Sequence, residues 1–485
     1  MEWVVVSTYA GALFFIFLFS LGQLHLTWHY LRSKKLTKGK LPKMDSYPRV
    51  TVQLPIFNEK YVIERLIDSV VGLDYPKDRL EIQVLDDSTD ETVELTTKKV
   101  VHYQNLGFDI KQVRRPDRAG FKAGALKYGM ESAKGELLAV FDADFLPQSD
   151  FLKKTVPHFS EKNIGVVQTR WGHVNQDYSV LTKMQAFGLD AHFTIEQTGR
   201  NHAGSFINFN GTAGVWRKSC IDDAGGWSAD TLTEDLDLSY RAQLKGWKFK
   251  FLEDVVAPAE LPVIMPAIKS QQYRWNKGAA ETARKNLGKV LASGIGLTHK
   301  IHAVLHLFNS SVFLMLLTAA VLSIPMIFIK DSHPELEIFF NLGSIFLIGF
   351  FSIAFFYWTS SKSIRGKVSA KYFFKNFPMF LTFSMGLSLH NAIAVSEGLF
   401  GYKTPFVRTP KFNVFKKGDR WQSNEYLSTK LSLATVLEGL LSVYFIFGIV
   451  SGFMIEDYGL MFFHVMLAIG FGAIFIHSIK PLTNA

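Results

Sequence analysis

Apolar residues along this chain change their spacing twice. An unbroken apolar run from Trp3 to Leu21 opens the sequence and is long enough to cross a bilayer. From Arg49 to about Asp254 the runs shorten and alternate with amphipathic stretches. Val50–Leu54, Leu80–Leu85, Ile110–Arg114, Leu137–Phe141 and Ile164–Thr169 read as strands, with helices at Glu59–Val71 and Thr92–Gln104. Strands separated by helix-length segments predict βαβ units and a mostly parallel sheet. Beyond His302 the long apolar runs return. His302–Ile329, Phe339–Trp358, Leu431–Phe453 and Leu460–Ile476 each reach spanning length, whereas Phe373–Phe400 is interrupted by Lys375, Asn376, Pro378, His390, Asn391 and Glu397.

Charge orients these segments. Arg32, Lys34, Lys35, Lys38, Lys40 and Lys43 follow the first run, which puts its C-terminal side in the cytosol. No basic stretch precedes that run and no small-residue cleavage site follows it, so it reads as an uncleaved anchor. The basic loops Lys362–Lys371 and Lys403–Arg420 flank Phe373–Phe400. Both stay inside if that stretch lies along the interface, which leaves Asp331–Glu337 and Glu456-Asp457 outside. The expected organisation is therefore a membrane anchor over 1–29, a cytosolic α/β domain over 45–260 and interfacial helices over 261–300. A membrane domain over 301–485 follows, with four spanning helices, the interfacial helix 373–400 and a loop at 401–425. A net charge of +10 raises nucleic acid as a partner, but no zinc spacing, RNA-recognition signature or basic-aromatic groove accompanies it. Many basic residues flank apolar segments, so orientation in a lipid bilayer is the better reading. Cys220 stands alone, so no intramolecular disulfide forms, in keeping with a cytosolic domain.

Six constellations carry candidate chemistry. Pro55-Ile56-Phe57-Asn58-Glu59 ends the first strand where a dinucleotide fold needs a glycine-rich turn, which argues against a dehydrogenase. Asp86-Asp87-Ser88-Thr89-Asp90 ends the second; its carboxylates suit a ribose or base edge, or cap the next helix. Arg118 to Leu126 sets glycines beside Arg118 and Lys122 at a helix start, suited to phosphate or to an ordinary basic helix terminus. Asp142-Ala143-Asp144 closes a buried apolar strand with two oxygen ligands about one small residue. Mg2+ or Mn2+ bridges carboxylates and diphosphate in such a setting. Thr233-Glu234-Asp235 opens a helix, as a general base or as a cap. Gln271-Gln272-Tyr273-Arg274-Trp275 precedes the membrane runs, offering Arg for pyrophosphate and Trp for a sugar face, or an interfacial helix.

In order, Asp87, Asp142/Asp144, Thr233-Glu234-Asp235 and Gln271/Arg274/Trp275 match the D, D-x-D, T-E-D, Q-x-x-R-W signature. The chain resembles the processive family 2 glycosyltransferases of the cellulose-synthase superfamily, from about Val50 to its end. Gln53-Leu54-Pro55, Gln83 to Asp90 and Phe209 to Trp216 look most like the plant cellulose-synthase-like A and C subfamilies, which make mannan or glucan backbones. The resemblance implies a GT-A-type mixed, mostly parallel sheet set between an N-terminal membrane helix and a helical membrane domain. It implies inverting transfer of a hexose from GDP-mannose or UDP-glucose to a growing β-1,4-glycan, with a divalent cation. It assigns Asp235, with Glu234, to base catalysis, and Asp142 and Asp144 to metal. Glu59, Asp87, Lys122, Asp142 and Arg274 go to the donor, and Asn210, Gly211, Thr212, Gln271 and Trp275 to the acceptor. Phe406, Thr409 and Lys411 match a gating loop with the pattern F-x-V-T-x-K, from which Arg408 departs. With the sequence ending at Ala485, no cyclic-dinucleotide-binding domain of the bacterial type is expected. A glycolipid synthase that adds one sugar to ceramide or diacylglycerol shares D-x-D and Q-x-x-R-W and is the competing reading. A channel or transporter leaves the ordered acids unexplained.

Overall fold

The computed structural model describes residues 2–36, 41–42, 44, 46–333, 343–366, 370–422, 424–426 and 431–483. Lys38, Lys40 and Lys43 lie outside the described residues. So do the start of the expected Phe339–Trp358 span and parts of the Asp331–Glu337 and Lys362–Lys371 loops.

The expected strands appear as β1 (Val50–Ile56), β2 (Leu80–Asp86), β3 (Asp109–Val113), β4 (Leu137–Val140) and β5 (Ile164–His173). Two more, β6 (Gly214–Arg217) and β7 (Lys248–Ala259), complete a seven-stranded sheet in the order β3-β2-β1-β4-β6-β5-β7. β6 is antiparallel to both neighbours and every other pairing is parallel. With four residues, β6 is too short to show a period in sequence. The central strands β2 and β4 are buried throughout, as strands covered on both faces must be. Polar residues inside them are paired across the ladder. Thr51 donates to Glu81 at 2.6 Å and Gln53 to Gln83 at 3.0 Å, so burial leaves these donors satisfied.

α2 (Ile63–Val71) begins later than the periodicity indicates, because the chain first turns through Asn58 at φ +55°. Ile56 pairs with Asp86, and Gln53 with Val140, so the C-terminal tips of β1, β2 and β4 lie side by side. Strand order reverses between β1 and β4. That reversal opens the crevice in which α/β sheets bind ligands.

Among the described residues, four helices are long and apolar enough to span a membrane: Glu2–Ser33, Ser311–Ser332, Leu433–Met454 and Met461–Lys480. The expected His302–Ile329 run splits at Asn309-Ser310 into helices Leu297–Leu307 and Ser311–Ser332. In the Phe339–Trp358 region the described helix is Leu347–Arg365, which is not among the four. Phe373–Phe400, expected as one interfacial helix, lies in two helices, Ala370–Gly386 and Ser388–Phe400, that meet at 50° and make a fifth span if taken as one.

The first helix continues past its apolar stretch, and its last turns dock on the α/β domain. Gly199 has no side chain, and a Cβ there falls 2.6 Å from the Leu26 carbonyl. Small residues likewise let membrane helices cross closely: a Cβ on Gly470 falls 2.4 Å from the Thr382 carbonyl, and one on Gly386 falls 2.4 Å from the Gly470 carbonyl. Gly470→Val is therefore expected to destabilise the detergent-solubilised protein by about 1–3 kcal/mol through overpacking. Thermal unfolding checks this, and an unchanged midpoint counts against the crossing.

Candidate active site

The strand tips deliver the acids. Glu59 follows β1 and is buried. Asp87 follows β2 and is gripped by Arg115, whose Nε reaches Oδ1 at 2.7 Å and whose Nη2 reaches Oδ2 at 2.6 Å. Asp142 and Asp144 follow β4, and the Asp142 backbone N–H donates to the Thr212 hydroxyl at 2.9 Å. Lys122, in the first turn of α4 (Phe121–Glu131), donates to Asp142 Oδ1 at 2.5 Å and to the Gly211 carbonyl at 2.8 Å. Glu234 and Asp235 open the helix Glu234–Leu244. Gly211, at φ +76°, has to be glycine: a Cβ there falls 2.9 Å from Asp235 Oδ2. Asn210-Gly211-Thr212 thus lies directly on the acid.

Arg274 and Trp275 come from the long helix Met265–Ala292; Gln271, four residues before Trp275, shares its face. The Trp275 ring lies 6.3 Å from Trp171, which stacks on Phe193 at 4.7 Å. One cleft is lined by Glu59, Asp87, Lys122, Asp142, Asp144 and Arg274. A strap formed by the 401–422 segment lies across it, with Phe406, Arg408, Thr409 and Lys411 in its lining. Phe406 stacks on Phe121 at 5.1 Å, with the Arg274 guanidinium 5.0 Å from the Phe406 ring. Arg274 also donates to Thr409 at 2.7 Å. Arg408 pairs with Glu59 at 3.0 Å and Lys411 with Asp144 at 2.8 Å. Glu260 tethers the strap, accepting from the backbone N–H of Phe412 at 2.9 Å and of Asn413 at 3.0 Å.

Residues 48–278 match the family described as glycosyltransferase like family 2. That segment is a family 2 glycosyltransferase domain. The chain is 44% identical over 269 residues to glucomannan 4-beta-mannosyltransferase 1 of Oryza sativa subsp. japonica, covering 54% of this chain and 52% of that protein. It is 39% identical over 318 residues to glucomannan 4-beta-mannosyltransferase 1 of Cyamopsis tetragonoloba, covering 63% of this chain and 60% of that one. It thus spans about half to three fifths of these relatives' length. In fold it is similar to a mannosyltransferase from Pyrobaculum calidifontis solved in complex with GDP-Man and Mn2+. The TM-score is 0.57 at 19% identity, over 82% of this chain and 100% of that one. The mixed, mostly parallel sheet of the glycosyltransferase domain is GT-A-like, as expected.

Within that domain, burial sets the protonation of the acids. Burial, then the neighbouring Glu234, pushes Asp235 up to about 7. Burial raises Glu234 too, against the pull of Lys122. It lifts Glu59 to about 7 although Arg408 and Lys411 oppose the shift. Burial disfavours the charge on Lys122, but Asp142 and Glu234 outweigh it and hold that lysine above its ordinary value.

The residues fit a divalent cation. Asp144 Oδ1 is buried with no hydrogen-bond partner, and the Asp142 side chain is 34% exposed toward the cleft. Among the described residues no three His, Cys, Asp or Glu gather into a closed cage. Two carboxylates suffice for an ion that takes its other ligands from diphosphate and water.

Sequence reasoning missed three groups that shape this site. Arg115 has no motif to distinguish it from Arg114. Glu260 has none either, since its partners lie on a loop about 150 positions away. The signal for Arg408 was its departure from the loop pattern. Glu234→Gln removes the like charge beside Asp235 and is expected to lower the pH at which Asp235 loses its proton. Carboxyl-band infrared titration, with Asp235→Asn as the blank, measures it; an unmoved midpoint counts against the coupling.

Proposed function

We propose that this protein is a membrane-embedded inverting glycosyltransferase that builds a β-1,4-linked mannan from GDP-mannose. The observation that carries the reading is the convergence of Asp142, Asp144 and Arg274 on one cleft of a family 2 domain, with Asp235 against the Gly211 turn that Lys122 holds. The choice of mannose rests on the names of its relatives, and UDP-glucose is the alternative donor.

Asp142 and Asp144 would hold Mg2+ or Mn2+, which when bound neutralises charge building on the departing nucleoside diphosphate. Arg274 and Lys122 add positive charge on the same side of the cleft, and Asp87 lies where the strand tip meets the nucleotide. The Trp275 indole supplies an apolar face for the acceptor sugar, beside Gln271 and Asn210-Gly211-Thr212. Asp235 accepts the proton of the attacking hydroxyl as its oxygen bonds to the sugar C1. The C1–O bond to diphosphate breaks on the opposite face, so configuration inverts.

Before the donor enters, the strap has to lift Lys411 from Asp144 and Arg408 from Glu59, which is the gating role assigned to Phe406, Thr409 and Lys411. Helix Met265–Ala292, which carries Arg274 and Trp275, packs along Ser388–Phe400, and that packing supports passage of the product toward the apolar helices. Basic residues after the first span support a cytosolic catalytic domain.

Asp235→Asn is expected to lower transfer by about 100-fold or more while nucleotide binding survives; undiminished turnover overturns the base assignment. Because Asp235 must be deprotonated to accept a proton, kcat/KM falls as pH drops below about 7. A profile flat to pH 5 counts against it. EDTA stops transfer and added Mn2+ or Mg2+ restores it; activity indifferent to both removes the metal. With purified protein and each labelled donor, product cut by β-mannanase supports the reading. A lipid-extractable single-sugar product supports the glycolipid synthase instead.

A further inference from the structure

Two helices of the glycosyltransferase domain, Val180–Ala191 and Gln197–His202, are joined by a π-helical turn, His192–Glu196. Such turns sacrifice hydrogen-bond geometry and recur at functional sites. Here the turn aims two side chains at one another. Glu196 is buried, and its Oε2 lies 2.7 Å from His192 Nδ1. Its Oε1 accepts from Gln23 at 2.8 Å, and Gln23 belongs to the first membrane helix. On its far side, His192 Nε2 lies 3.0 Å from Asn210 Nδ2.

Counting donors assigns every proton in this chain. Gln197 Nε2 contacts the Asn208 carbonyl at 2.9 Å and Asn210 Oδ1 at 2.7 Å. A carbonyl only accepts, so Gln197 presents its amide NH2 there and Asn210 answers with its oxygen. The Asn210 NH2 therefore faces His192, whose Nε2 must accept. Nδ1 then carries the ring hydrogen and donates to Glu196. Burial by itself raises the Glu196 carboxyl, but Arg200 and His192 outweigh it and keep it ionised, below its ordinary value. Asn210 opens the turn whose Gly211 carbonyl takes the Lys122 ammonium and whose Thr212 hydroxyl takes the Asp142 N–H.

We propose that His192, held in one tautomer by Glu196, is a positioning residue that fixes the Asn210 amide for a hydroxyl of the acceptor glycan. One N–H and one lone pair of that amide stay free, the complement a sugar hydroxyl needs. The proposal rests on the reading of Asn210 as an acceptor contact. Gln23, just past the apolar stretch of the first helix, extends the support to that helix, which thus forms part of the scaffold of the acceptor site.

The test uses the full-length protein in nanodiscs, a β-1,4-mannan oligosaccharide as acceptor, and whichever of GDP-mannose and UDP-glucose supports transfer. His192→Ala is expected to raise the acceptor KM about tenfold, with the donor KM changed less than about twofold. His192→Gln can still offer an oxygen to Asn210 and recovers most of the loss. His192→Asn can still donate to Glu196 but falls short of Asn210, and it does not recover. These two variants decide the matter if the alanine protein does not fold. Equal recovery by both, or an unchanged acceptor KM in His192→Ala, overturns the positioning role. Asn210→Ala separates the two levels. A raised acceptor KM there alone sinks the role of His192, whereas no change in either variant sinks the acceptor reading and the proposal with it.

Discussion

Carboxylates crowded into a buried cleft repel one another and lose their hydration, and the rest of this structure answers that cost. Glu59, Asp142, Asp144, Glu234 and Asp235 come from strand tips and a helix start far apart in sequence. Lys122 and Arg274 supply compensating charge from within the catalytic domain. Arg408 and Lys411 supply it from a strap that follows the bent helix pair. The first pair of cations is built into the scaffold. The second comes from a loop, and in the proposed function its contacts give way to a metal ion and a diphosphate.

The same helix that carries Arg274 and Trp275 ties the site to the membrane domain. Lys269, less than two turns before Arg274, pairs with Glu438 on the helix Leu433–Met454 at 2.5 Å and reaches Thr435 at 3.3 Å. A buried pair of this kind gives little net stability, but removing one partner leaves a charge stranded. It joins the helix Met265–Ala292 directly to Leu433–Met454. Tyr273 and Lys277 add a second tie through Glu397 and Thr404. From the other end of the chain, Gln23, Leu26 and Tyr30 dock the anchor helix on the catalytic domain. Catalytic and membrane parts therefore share one scaffold.

Much of this was legible in the residues themselves. Buried parallel strands show as continuous apolar runs, and the acids stand where those runs stop, so Asp87, Asp142 and Asp144 could be placed at a sheet edge without coordinates. The short antiparallel β6 could not, because four residues carry no period. Nor could the break in Phe373–Phe400: composition shows an interrupted apolar stretch, while the bend after Gly386 arises where that helix meets Gly470. His192 and Glu196 lie in an ordinary helical pattern, and only the π turn and the neighbouring anchor helix give them a shared purpose.

By itself the sequence determined the class of fold, the long apolar runs on either side of the α/β domain, and the acids that stand at strand ends. These are local properties, written in spacing and in the nearest neighbours along the chain. Tertiary structure decided which cation answers which acid. It seated Lys411 on Asp144 and Arg408 on Glu59, carried Glu260 to the strap, and brought Gln23 of the anchor to Glu196. The physical reason is that electrostatic and hydrogen-bond partners are chosen by distance through a low-dielectric interior, and separation along the chain carries no information about that distance.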